Sequence, residues 1–240
     1  MDTLMTCLRD LVIANRILAR EGVVDAFGHI SVRHPENPER FLLSRSRAPE
    51  LIIKDDILEF TLDGAPAVDL RGRTPYGERF IHAAVLAARP EINSVVHNHS
   101  HEVIPFGVTR TASLRAIAHT CAAIGATIPT WDIRDRFGGG DMLVVNMEQG
   151  RDLARALGDN TVALMRGHGC VVAGRNIKEA VNAAVYLQVN ARLQLYALQL
   201  GEPIYLTPEE VEAMTARQIS PLAMDRVWEY WVMRAGCGDL

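Results

Sequence analysis

Apolar residues at Leu4, Leu8, Leu11, Val12, Ile17 and Leu18 recur every three or four positions, and Gly22 ends the run. That is the period of one helical face, so a first helix is expected over residues 4–20. The period then falls to two. Residues 26–33 alternate as a strand, 34–40 form a polar, proline-containing turn, and 41–44 return, which predicts a hairpin with a long loop. A short helix over 51–55 and a strand near 57–61 follow, with Asp63-Gly64 as the next turn. Thr74 suits an N-cap and Pro75 a first helical turn, for a helix of about 78–88 that stops before Pro90. Next come a strand over 92–97, a mostly helical stretch over 111–125 and a flexible turn at Gly138-Gly139-Gly140. A helix over 149–157 is stopped by Gly158, and strands at 161–165 and 170–173 flank a Gly-His-Gly loop. A long helix from 176 or 177 to about 200 is closed by Gly201. Thr207-Pro208-Glu209-Glu210 joins a cap, a first-turn proline and an acidic start, opening a C-terminal helical segment over about 207–240. Neither repeat, linker nor low-complexity segment interrupts the pattern, so one α/β domain over 1–240 is expected.

Composition narrows the setting. The 240 residues suffice for one large domain with a real core, and 48% hydrophobic with 22% charged residues is ordinary for a soluble globular chain. A net charge of -4 without a basic stripe gives no reason to expect a nucleic-acid partner. Nowhere does an apolar run approach the length of a membrane span, and the N-terminus has no basic stretch leading into an apolar one. Cys7, Cys121, Cys170 and Cys237 are scattered without short pairing, which reads as reduced thiols in a cytoplasmic protein.

The chemistry concentrates in Val95-Val96-His97-Asn98-His99-Ser100-His101. Alternation lets His97, His99 and His101 share one face of an extended chain, whereas a spacing of two cannot do so on a helix. Two imidazoles leaving a strand end, met by His168 from the distant Gly167-His168-Gly169 loop, suit a catalytic zinc-type site with an open position. Glu78 is the candidate carboxylate, placed in a first helical turn where the helix dipole favours an anion. It is positioned either to join the metal or to exchange a proton.

Gly28-x-Ile30-Ser31, Glu78-x-x-x-His82, Arg89-Pro90-x-x-x-x-Val95-Val96-His97-x-His99 and Gly167-His168-Gly169, in this order, resemble the class II aldolase/adducin family from about residue 5 to 200. The resemblance implies a three-layer α/β/α fold around a mostly antiparallel sheet, a homotetramer, and a divalent metal held by His97, His99 and His168. It also implies an acid–base glutamate, Glu78, able to touch the metal. Zn²⁺ is the first choice for an imidazole-rich set, with Mn²⁺, Fe²⁺ or Co²⁺ able to use the same geometry.

The departures from the sugar-phosphate aldolases are as informative. Their Gly-Asn, Thr/Ser-Gly and Ser-Ser positions, which cradle a phosphate, are here Gly28-His29, Ser44-Arg45-Ser46-Arg47 and Tyr76-Gly77. A guanidinium at Arg45 or Arg47 suits a planar carboxylate and Tyr76 an unsaturated or aromatic ring, with Ser46 in the same turn. The wording of residues 27–33 and 43–46 resembles the family's decarboxylase branch, which acts on dihydroxyphthalate-like acids or on ring-cleavage products of aromatic catabolism. The expected function is therefore metal-dependent decarboxylation of a small hydroxylated aromatic or enol-type acid, with the metal as electron sink. Alternatives are an aldolase, epimerase or dehydratase acting on a non-phosphorylated sugar-derived substrate, a non-catalytic adducin-like scaffold, or other metal chemistry including iron-dependent oxygenation. The final protonation of carbon falls to Glu78 or His29.

Four further expectations concern bystanders. His82 lies one helical turn beyond Glu78 and is either a partner of a ligand or a structural histidine. His101 and His119 have open roles, and His34 belongs to a polar turn. Trp228, Tyr230 and Trp231 are expected to serve core or interface packing.

Overall fold

The computed structural model describes residues 3–240. Its strands are β1 (His29–Arg33), β2 (Arg40–Ser44), β3 (Ile57–Thr61), β4 (Ser94–Asn98), β5 (Thr130–Trp131), β6 (Val162–Met165) and β7 (Gly169–Gly174). They form one sheet in the order β3-β2-β1-β4-β7-β6-β5. All neighbours are antiparallel except β5 and β6. The helices are α1 (Thr3–Arg20), α2 (Arg79–Ala88), α3 (Ile104–Val108), α4 (Arg134–Phe137), α5 (Met147–Leu157), α6 (Ile177–Leu200), α7 (Pro208–Gln218) and α8 (Pro221–Arg234).

Strand alternation splits the core into two layers. Ile30, Val32, Leu42, Val96, Cys170 and Val172 face α1 and α6, with Val211 of α7 and Trp231 of α8 closing that side. Phe41, Leu43, Leu58, Phe60, Val95 and Val171 face the opposite way, onto Ile81 and Val85 of α2 and Leu153 of α5. The result is the expected α/β/α sandwich on a mostly antiparallel sheet. Because side chains alternate, His29, Ser31 and His97 share the α2 side with Val95. No helix among the described residues is long and apolar enough to cross a membrane. All four cysteines are free thiols.

Three local expectations are corrected. Thr74-Pro75 does not open α2. Pro75 bridges Arg45 and the Ser46 N–H donates to the Thr74 carbonyl, so this stretch lies extended along the end of β2. Glu78 takes the N-cap position instead. The 51–55 helix is two 3-10 turns, Pro49–Leu51 and Lys54–Asp56, the second pinned by the Ile53 N–H on the Asp56 carboxylate at 3.0 Å. The 111–125 stretch is helical only as a 3-10 segment, His119–Ile124. Ahead of it the backbone runs over α6, whose buried amides take its hydrogen bonds: Arg115 N–H to Gln194 at 3.0 Å and Ile117 N–H to Asn190 at 3.0 Å. Asn190 and Gln194 donate back to the Arg115 and Ser113 carbonyls at 2.7 Å each. A backbone satisfied from outside has no need of a helix.

Candidate metal centre

Four donors converge where the central strands end. His97 is the penultimate residue of β4, His99 lies just past it, His168 sits in the β6–β7 turn, and Glu78 heads α2. Their ligand atoms all lie within 4.8 Å of one another. His97 Nε2 is 3.1 Å from His99 Nε2, and Glu78 Oε2 is 3.4 Å from His97 Nε2 and 3.6 Å from His168 Nε2. Close approach depends on two glycines. A Cβ at Gly169 would stand 2.1 Å from the Asn98 carbonyl oxygen, and Gly28 turns at φ +96° beneath the His97 carbonyl.

The environment fixes the donors. The Nδ1–H of His97 donates to the Cys170 carbonyl at 3.0 Å, and that of His168 to the Met142 carbonyl at 3.1 Å. Carbonyls only accept, so each ring keeps its hydrogen on Nδ1 and in its neutral form turns a bare Nε2 lone pair inward, the usual arrangement behind a metal-ligating histidine. Glu78 Oε1 accepts the Val144 N–H at 3.1 Å, leaving Oε2 for the cluster. Burial works against the Glu78 anion, but His97 and His168 outweigh it and hold the carboxyl well below its usual range. Burial and the neighbouring His97 and His168 rings push His99 down to about 4, which keeps it neutral and able to ligate. His168 is also disfavoured as a cation by burial, yet the Glu78 carboxylate facing its Nε2 raises its pKa. Three imidazoles and one carboxylate with inward lone pairs are a donor set that fits a divalent cation with an open position.

The other candidates separate by distance. His29 is buried and stands beside the cluster, its ring 5.2 Å from that of His97 and 4.4 Å from that of Tyr76. The Tyr76 hydroxyl donates to the Arg47 carbonyl. Arg45 and Arg47 are not free guanidinium groups. Both bind the buried Asp56, Arg45 Nε at 2.5 Å and Arg47 through one terminal nitrogen at 2.7 Å. Ser46 points outward between them. β4 ends at Asn98, so His101 falls in the exposed turn that follows and is not one of the four gathered donors. His101 lines, with Asp25 and His99, a cleft of about 40 Å³ at the edge of the cluster. His119 is exposed, and Trp231 packs in the core against Tyr186. A cavity of about 1040 Å³ lies elsewhere, between α1, the β1–β2 turn and the start of α6, and contains none of these residues.

Sequence reasoning gave no role to Asp56, to Ser31, which it quoted only as part of a motif, or to the carbonyls of Cys170 and Met142. Ser31 had a signal, since it follows His29 by two positions in a strand. Backbone carbonyls carry no residue identity, and Asp56 meets the arginines only through the β2–β3 pairing.

Comparison with known proteins places this geometry in a family. The Class II Aldolase and Adducin N-terminal domain matches residues 9–195, so the chain belongs to the class II aldolase and adducin family and is one of its lyase-type enzymes. Decarboxylase tropJ of Talaromyces stipitatus is 32% identical, covering 97% of this chain and 95% of its own. A 3,4-dihydroxyphthalate decarboxylase of Arthrobacter keyseri is 30% identical, covering 83% and 82%. Among solved structures, an aldolase II superfamily protein from Pseudomonas syringae superposes with a TM-score of 0.81 at 20% identity, over 100% of this chain and 95% of that one.

Proposed function

We propose that this protein is a metal-dependent decarboxylase that removes CO₂ from a small hydroxylated aromatic or enol-type carboxylic acid. The observation that carries the reading is the placement of His29 and Tyr76 beside the Glu78, His97, His99 and His168 cluster. The decarboxylase relatives, matched over most of the chain, support it. His97, His99 and His168 would hold the cation, with Glu78 as fourth donor or proton acceptor, and Zn²⁺ is the first choice for so imidazole-rich a set. When bound, the cation supplies Lewis-acid stabilisation of charge and a template for adjacent substrate oxygens.

The chain's own groups do the rest. Tyr76 presents an aromatic face beside His29, suited to a flat ring. Arg45 and Arg47 bring two positive charges against the single Asp56, so one net charge and several N–H donors remain for a substrate carboxylate, with Ser46 at the same turn. An acid with adjacent hydroxyls has protons to move before and after CO₂ leaves, and Glu78 and His29 are the two groups placed to handle them. We further propose a cytoplasmic homotetramer that serves aromatic catabolism.

The test is CO₂ release from a dihydroxyphthalate-type acid by zinc-loaded protein, with loss of activity in His97→Ala. Aldehyde release from a hydroxy ketone or aldonate, without CO₂ from any hydroxylated acid, would replace the decarboxylase by an aldolase.

A further inference from the structure

Two of the four donors owe their orientation to one short stretch of chain. The Met142 carbonyl accepts the Nδ1–H of His168 at 3.1 Å, and the Val144 N–H donates to Glu78 Oε1 at 3.1 Å. His168 comes from the β6–β7 turn and Glu78 from the head of α2, so neither element touches the other in sequence. What joins them is backbone alone, in the loop between α4 and α5.

That loop is fixed from one end. Val144 is fully buried in the α2 layer of the core, while Leu143 and Val145 on either side of it are exposed. Downstream, the Val145 N–H donates to Gln149 at 2.9 Å, and Asn146 caps α5 by accepting the Gln149 N–H at 3.0 Å. α5 lies hard against α2, since a Cβ at Gly150 would stand 2.4 Å from the Phe80 carbonyl oxygen. Upstream, a Cβ on Gly138, Gly139 or Gly140 would meet nothing within 4 Å, so those residues impose no position. Between the two regimes stands Met142, at φ +64°, a backbone that an ordinary side chain disfavours. Asp141 accepts the Leu143 N–H at 3.1 Å, so the peptides on both sides of Met142 are tied. The turn cannot relax without swinging its carbonyl. Strain kept at a single residue beside a set of ligating groups points to a position held for function.

We infer that Met142 is a positioning residue for the metal: its left-handed backbone sets the arc from Met142 to Val144, which spaces His168 and Glu78 and so keeps the cation in place. The inference deepens the reading of Glu78, His97, His99 and His168 as the metal's holders and rests on it, and it draws nothing from the substrate. His97 donates instead to the Cys170 carbonyl of β7, so it belongs to the sheet. The sheet fixes His97, and the arc fixes the two donors that face it. Without the arc, His168 turns about its side-chain bonds and Glu78 swings toward water, and each motion opens a way out for the cation. Loss of such an outer partner costs about ten- to a hundredfold in metal affinity.

The test follows Co²⁺ leaving the loaded protein, read by a colorimetric chelator, together with the visible absorption band of the bound ion. Valine, branched at Cβ, fits a positive φ poorly, whereas glycine and asparagine accept it. Met142→Val is expected to release Co²⁺ at least about tenfold faster than wild type and to shift the band, which a merely structural lesion would not do. Met142→Gly and Met142→Asn are expected to hold the ion as wild type does. Wild-type release from Met142→Val overturns the inference. Fast release from both Met142→Gly and Met142→Asn also overturns it, because the thioether and not the backbone would then be responsible. Should Met142→Val not fold, an isosteric change decides: Val144 replaced by its α-hydroxy acid, which exchanges the N–H facing Glu78 for an ester oxygen. Faster release upholds the arc, and wild-type release overturns it. His97→Ala separates the two readings. Co²⁺ held as tightly by His97→Ala as by wild type, or no uptake by wild type, overturns the metal site and the arc with it. Co²⁺ lost from His97→Ala but retained by Met142→Val leaves the site standing and removes the arc alone.

Discussion

Glu78 is the residue on which charge and chemistry meet most closely. Its carboxylate is tethered by the Val144 N–H and faces His97 and His168. Glu78→Gln keeps size and most hydrogen bonding but removes the anion. It is expected to retain metal while losing at least about a hundredfold in kcat, within the range for general acid–base catalysis. Near-normal turnover in a metal-replete Glu78→Gln enzyme would assign all the proton work to His29. Asp56 carries a second expectation, on stability. Burial would raise its pKa, but the bonds from Arg45, the Ile53 N–H and Arg47 prevail and lower it. A carboxylate depressed in the folded state contributes stability above its unfolded value, about 3.9, and loses it as pH falls through the lower folded value. Asp56→Asn is expected to cost about 2 kcal/mol at neutral pH, since both arginines are partly solvated, and to flatten the acid limb of a urea-denaturation profile below about pH 4. An unchanged acid limb would show that the arginines take no stability from this carboxylate. Glu78, His97, His99 and His168 were legible because each sits at a spacing set by its own element. Asp56 was not, because its meaning depends on which strand pairs with which.

Elements were legible where their period was undisturbed. The apolar face of α1, the polar–apolar alternation of the β1 sequence and the capped start of α7 all match the pattern that predicts them. The segment before the His119–Ile124 turn failed for a physical reason: its backbone partners are side chains of α6, seventy-odd positions away, and no local window contains them. Asn190→Ala should therefore behave as a backbone lesion. It leaves the Ile117 N–H and Arg115 carbonyl unpaired in a partly buried place, which is expected to cost about 1–3 kcal/mol in denaturant unfolding. A loss below about 0.5 kcal/mol would mean that water replaces the amide. Gly169 tests the joint between β4 and β7. The added methyl of Gly169→Ala would meet the Asn98 carbonyl and the edge of the His99 ring, and neither can retreat without parting the strands. The variant should unfold earlier and bind metal more weakly, measured as denaturation midpoint and metal stoichiometry. A wild-type midpoint with full metal occupancy would show that the strand ends have slack.

At the scale of the whole molecule, the four candidate ligands come from three separated stretches: the head of α2, the end of β4 and the β6–β7 turn. Their union rests on the central strand order β1-β4-β7, in which residues more than seventy positions apart become neighbours. Family resemblance could anticipate that order, but residue patterns alone could not, since periodicity tells which face a side chain takes and not which strand lies beside it. A cation bound there is a clip between α2 and both central strands. It binds the folded chain and has no assembled site in the unfolded one, so it must raise stability by mass action. At free metal a hundredfold above Kd the gain is about 2.7 kcal/mol. For a chain of this length that corresponds to a Tm roughly 5–10 °C higher. Chelation of the purified protein is thus expected to lower Tm by that amount, and added Zn²⁺ to restore it. His97→Ala, which lacks one of the three imidazoles, should melt at the same temperature with and without chelator. An equal metal-dependent shift in His97→Ala would place the stabilising cation elsewhere on the molecule, and no shift in the wild type would remove the clip between α2, β4 and β7 altogether.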